Sequence, residues 1–83
     1  MNIYVVEKAN VYQHKVCGLF LTEFDAIDCA RTAAETVAGP EEYSYESFVV
    51  WKYKTGSLIS DTEHCMVCYF IKSGGRVEMH DGI

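Results

Sequence analysis

The chain has one proline among 83 residues, and no apolar run nears the roughly 18 residues that a membrane-crossing helix needs. It has no internal repeat, no low-complexity segment and no Gly/Ser-rich linker. Positive charge is scarce: seven Lys and Arg stand against twelve Asp and Glu, for a formal net charge of −5. This balance excludes free nucleic acid as a direct ligand, because the phosphate backbone is bound chiefly by Lys and Arg. The opening Met1-Asn2-Ile3-Tyr4-Val5-Val6-Glu7 lacks the basic n-region and small-residue cleavage site of a secretory signal. The expectation is a cytoplasmic protein whose four cysteines, Cys17, Cys29, Cys65 and Cys68, are reduced thiols.

Catalytic signatures are missing as well. His14, His64 and His80 do not stand beside a Ser or Cys in a nucleophile context. Ser73-Gly74-Gly75-Arg76 is glycine-rich, but a short strand pattern follows it where a phosphate loop requires a helix. The chain is therefore expected to be no enzyme and to carry no cofactor.

What is present suits one small α+β domain spanning residues 1–83. A hydrophobic fraction of 49 % against 23 % charged residues can offset chain entropy, which argues against disorder. A chain this short buries only about 60–65 % of its unfolded surface. Residues 2–8 and 15–21 are β-branched and aromatic and read as two antiparallel strands, with Gly18 marking a bulge or a close backbone approach. Thr22 then caps a helix, and Glu23 and Asp25 put negative charge in its first turn. Phe24, Ile27, Ala30, Ala34, Val37 and Ala38 are expected on its inner face, and Asp25, Asp28, Thr32 and Glu35 on its outer one, before Gly39-Pro40 ends it. Residues 45–54, 64–72 and 76–80 read as three further strands. In the first of these, Val49, Trp51 and Tyr53 share one side, and Phe48 and Val50 the other, as in a central strand or one at an interface. The last two are joined by a hairpin turn at Ser73-Gly74-Gly75, and 81–83 are expected to fray. The expected order is β-β-α-β-β-β, with four to five antiparallel strands and one helix on one face.

The charge is unevenly placed. Residues 22–46 hold seven acids and one base, Arg31, and so carry −6, whereas all other residues together carry +1. Asp25, Asp28 and Glu35 on the helix continue into Glu41, Glu42 and Glu46, with Tyr43 and Tyr45 interleaved. Carboxylates set among tyrosines can imitate a phosphate backbone to a Lys/Arg-lined groove, with Tyr43 or Tyr45 as the desolvated anchor. A solvated face serving only solubility is the plain alternative. Cys65-Met66-Val67-Cys68, with Cys17 and His14, offers a zinc set. Against it, residues three apart in a regular strand point to opposite faces, and buried structural thiols are favoured. A third alternative is a self-associating module in which an exposed edge at 64–72 pairs with its twin, giving a homodimer.

Met1-Asn2-Ile3-Tyr4-Val5-Val6, Gly18-Leu19-Phe20, and Thr22-Glu23-Phe24-Asp25-Ala26-Ile27 leading into Ala33-Ala34 and Gly39 resemble small proteins of phages and other mobile elements. In those, a short hairpin precedes one Ala-rich helix on an antiparallel sheet. Several small anti-CRISPR proteins share this plan, and the resemblance covers about the first 55 residues. It implies a stoichiometric inhibitor that blocks a basic surface of a host protein or ribonucleoprotein defence complex.

Overall fold

The β-branched and aromatic runs form five strands in the computed structural model: β1 (Asn2–Ala9), β2 (His14–Phe20), β3 (Ser47–Lys54), β4 (Glu63–Ser73) and β5 (Arg76–Asp81), with the helix α1 (Glu23–Thr36) between β2 and β3. The structure describes residues 2–9, 14–36, 47–54, 63–73 and 76–82. All strand pairings are antiparallel, in the order β2-β1-β3-β4-β5. The α+β class and the β-β-α-β-β-β order are as the sequence predicts, and β3 is the central strand.

Strand boundaries move by one residue in β1, β2, β4 and β5, and two of these shifts matter. His14 joins β2, where it pairs with Ala9. At the C-terminal end, Asp81 pairs with Cys68, and the Gly82 amide donates to the Val67 carbonyl at 3.0 Å, so 81–82 are tied to the sheet and do not fray. One expectation fails on topology. Residues 64–72 lie in β4, which is paired on both sides, so this segment is no exposed edge and cannot add a twin's strand. The edges are β2 and β5.

The register sorts side chains by face, since alternate residues of a strand share one side. Phe20, Tyr4, Lys52 and Cys65 form one row beneath the helix, and Gly18, Val6, Val50, Cys68 and Asp81 the next. Tyr4, Val6, Phe48, Val50, Cys68 and Phe70 meet Ala26, Ala30 and Ala34 in the single core cluster. Three alanines at i, i+4 and i+8 make a flat stripe, which lets the helix lie close over Val6, Val50 and Phe70, the largest fully buried side chains. Burial of each such side chain contributes about 1.5–3 kcal/mol.

The inner face of the helix differs from the predicted one. Phe24 is 78 % exposed. It lies about 120° around the helix from the middle of the alanine stripe, as a step of about 100° per residue requires. Ala26, which the periodicity assigned to neither face, is the buried residue in its place. Ile27 flanks the stripe as expected, and Ala33, which the periodicity left off the inner face, flanks it too. Val37, Ala38, Gly39 and Pro40 lie outside the described residues. The predicted cap is present: the Asp25 amide donates to Thr22 Oγ1 at 3.2 Å. Arg31 sets its guanidinium 5.5 Å from the centre of the Phe70 ring.

Two strand pairs, β1–β2 and β3–β4, carry bulges. The β1–β2 register shifts between Val6 and Glu7, which leaves Cys17 as the extra residue beside Gly18. The β3–β4 register shifts between Val50 and Trp51, with Val67 extra.

Candidate functional site

The predicted acidic contact rests on α1. Asp25, Asp28 and Glu35 are all exposed. They fall within a sector of about 80° directly opposite the alanine stripe, again from the step of about 100° per residue. Among the described residues the carboxylate–histidine pairs are Glu7 with His14 and Glu78 with His80, and neither involves the helix. Glu41, Glu42, Tyr43, Tyr45 and Glu46 lie outside the described residues.

The surroundings of this ridge narrow the expected negative face. Register places Lys8, Lys15, Lys52, Lys54 and Lys72 on the helix-bearing side of the sheet. Lys72 Nζ donates to the Glu35 carbonyl oxygen at 3.3 Å. Among the described residues the acidic surface is therefore a ridge along the helix crest, bordered at sheet level by these lysines and by Asp81. Sequence reading missed this because the lysines come from four different strands, and only the pairing register puts them on one side.

Among the described residues the other sheet face carries no helix. Leu19, Val5, Trp51 and Met66 form one cross-strand row, and Val16, Glu7, Val49, Tyr69 and His80 form the next. A third row runs His14, Ala9, Ser47, Ile71 and Glu78. Leu19 is 67 % and Val16 56 % exposed, while Val49 at the centre is covered by its neighbours to 6 %. Aromatic contacts brace the β4 side. His64 stacks on Tyr53 at 5.2 Å and meets Trp51 edge-on at 5.5 Å, and His80 stacks on Tyr69 at 4.9 Å. The three histidines thus all belong to this face. The signal for it was the apolar character of both sides of β3.

The cysteines divide. The bulge at Val67 reverses the parity of β4, so Cys65 pairs with Lys52 and Cys68 with Val50, two residues apart on β3 and on one face. The expectation that the two thiols point to opposite faces is thereby corrected. Cys68 is buried, Cys29 half-buried, and Cys17 and Cys65 exposed, so only part of the set is structural. Burial pushes the Cys68 thiol above the usual 9.0, with Glu23 and Asp81 adding to the rise and Arg31 opposing it. Burial likewise raises Cys29, helped by Cys17 and Asp28. The four-ligand zinc set does not assemble. β1 and β3 separate β2 from β4, so His14 and Cys17 sit about 14 Å from Cys65 and Cys68 at the usual strand spacing. Zinc–sulfur bonds of about 2.3 Å cannot bridge that gap. Among the described residues no group of three or more His, Cys, Asp or Glu side chains is placed to hold a metal ion. Among the same residues no helix is long and apolar enough to cross a membrane.

No known protein family, characterised protein or solved structure matches the chain.

Proposed function

We propose that this chain is a small non-enzymatic binding protein, a phage-encoded inhibitor of the anti-CRISPR kind, which occupies a basic, nucleic-acid-binding surface of a host defence complex in the cytoplasm. One observation carries the reading: Asp25, Asp28 and Glu35 stand exposed together on the outermost side of α1, within one sector of about 80°. A set of carboxylates on one side of a rigid helix presents negative charge at a fixed spacing, as a nucleic-acid backbone does. Such a ridge steers a cationic groove into register and speeds association, and salt weakens it over a Debye length of about 8 Å. The bordering lysines repel basic surfaces that are broad and flat, so the partner is a groove that closes on the ridge. Glu41, Glu42 and Glu46 extend the same acidic run in sequence, with Tyr43 or Tyr45 as the anchor.

The test is a pull-down from host lysate with the wild-type chain and with the triple variant Asp25→Lys, Asp28→Lys, Glu35→Lys, each at low and high salt. The wild type retains a basic-surfaced protein or ribonucleoprotein at low salt and releases it at high salt, while the variant, folded by circular dichroism, retains none. Equal retention by the variant, or retention indifferent to salt, overturns the proposal.

A further inference from the structure

The sheet face opposite the helix has the size, the charge and the symmetry of an interface with itself. Five strands about 4.8 Å apart and about seven residues long present roughly 550 Å², so two copies face to face bury roughly 1,100 Å² in projection. That clears the roughly 1,000 Å² that a specific interface needs. Its centre, Val49 and Trp51 on the middle strand, is apolar, and its aliphatic wing of Val5, Val16 and Leu19 balances a wing of Met66 with the stacked rings of Tyr69 and His80.

Fixed charge on this face is small, with Glu7 and Glu78 set against Arg76, and each carboxylate has a histidine beside it. Glu7 Oε1 lies 3.1 Å from His14 Nδ1, and Glu78 Oε2 lies 3.5 Å from His80 Nε2. A foreign partner of either sign finds little to select for here, whereas a second copy needs a face that does not repel itself. The rows supply complementarity too. In the third row His14 stands at the β2 end and Glu78 at the β5 end. Turning a second copy by half a turn about an axis along β3 keeps each row in place and reverses its direction. Val49 then lies over Val49 of the second copy, the aliphatic wing over the aromatic wing, and His14 over Glu78. The two acidic helices face outward. With layers about 10 Å apart they are separated by about 30 Å, several Debye lengths, so their like charge does not oppose association.

We infer that this face joins two copies of the chain back to back across all five strands, β3 over β3 and β2 over β5, with strands roughly aligned and both helices outside. The inference is independent of what the helix crest binds. It differs from edge-to-edge pairing, since the contact is made by side chains and no backbone ladder is extended.

Sedimentation equilibrium of the full chain tests it, with Trp51 emission followed over the same concentrations. The expected mass at about 100 μM, well above a micromolar dissociation constant, is twice the 9.4 kDa of one chain, and Trp51 emission moves to the blue as the dimer forms. The double variant Val16→Lys, Leu19→Lys changes two residues that are exposed in the single chain, so it keeps its fold by circular dichroism. It weakens the dimer at least about tenfold, because two ammonium groups must then enter an apolar contact. The helix variant Asp25→Lys, Asp28→Lys, Glu35→Lys leaves the dimer unchanged. Monomer mass throughout, with Trp51 emission constant, assigns the face to another occupant and overturns the inference. A dimer that resists the Val16/Leu19 variant but yields to the helix variant overturns it as well.

Discussion

The Gly82 amide donates to the Val67 carbonyl at 3.0 Å, and this contact locks the bulge on which β4 changes face. A Cβ at Gly82 would stand 2.1 Å from the Met66 carbonyl oxygen and 2.5 Å from its carbon, both backbone atoms. Gly82→Ala is therefore expected to destabilise the fold by about 2 kcal/mol or more, measured by urea denaturation. Gly18→Ala is the control. Its Cβ would meet only the far end of the Phe20 ring, at 2.8 Å, which can swing aside, and the expected loss is under about 1 kcal/mol.

The helix phase gives a second pair of outcomes. Ala30→Leu forces three extra heavy atoms between the helix and Val6, Val50 and Phe70, at a cost of about 1–3 kcal/mol. Phe24→Ser, at an exposed position, changes stability by about 0.5 kcal/mol or less. Thermal melts of the two variants read the phase directly, because the sequence periodicity would have made Phe24 the costlier change.

At the start of the helix, Thr22 Oγ1 satisfies the Asp25 amide at 3.2 Å. Thr22→Ala loses that acceptor and is expected to cost about 1 kcal/mol, while Thr22→Asp retains it. Denaturation midpoints of the three proteins compare the cap with its substitutes.

Cys68 and Cys29 both have their thiol pKa raised above 9.0, with burial the largest cause in each. A raised pKa means that the folded chain holds its proton where the unfolded chain has lost it. Stability from these groups is thus complete below pH 9 and falls as pH rises beyond it. Unfolding free energy measured from pH 7 to 10 should be flat at first and then decline, and Cys68→Ala should make the decline shallower. Thiol labelling of the native chain at pH 8 should modify Cys17 and Cys65, the exposed pair, well before Cys68.

The strands, the helix and the cap were legible because each depends on neighbours in sequence. The period-2 pattern of 45–54 and the Thr22 cap with its acidic first turn identify their elements without tertiary information. What was not legible depends on pairing. The inner face of α1 was misassigned by following the largest side chain, Phe24, when close approach to the sheet selects the small one, Ala26. The shared face of Cys65 and Cys68 requires one extra residue at Val67, and no local glycine announces it. The lysine border around the acidic ridge and the apolar rows of the open face both gather residues from strands far apart in sequence. Of the predicted contact residues, Asp25, Asp28 and Glu35 lie together on the helix crest, and Glu41, Glu42, Tyr43, Tyr45 and Glu46 are outside the described residues.

The most direct measurement of the proposed role is a competition titration on the complex captured from lysate, with labelled nucleic acid bound to its basic groove. The wild-type chain should displace the nucleic acid with an end point of one chain per site, and more weakly as salt is raised. The Asp25→Lys, Asp28→Lys, Glu35→Lys chain should displace none. Displacement by the charge-reversed chain, or nucleic acid that stays bound with the wild-type chain in excess, contradicts the acidic ridge as the inhibitory surface.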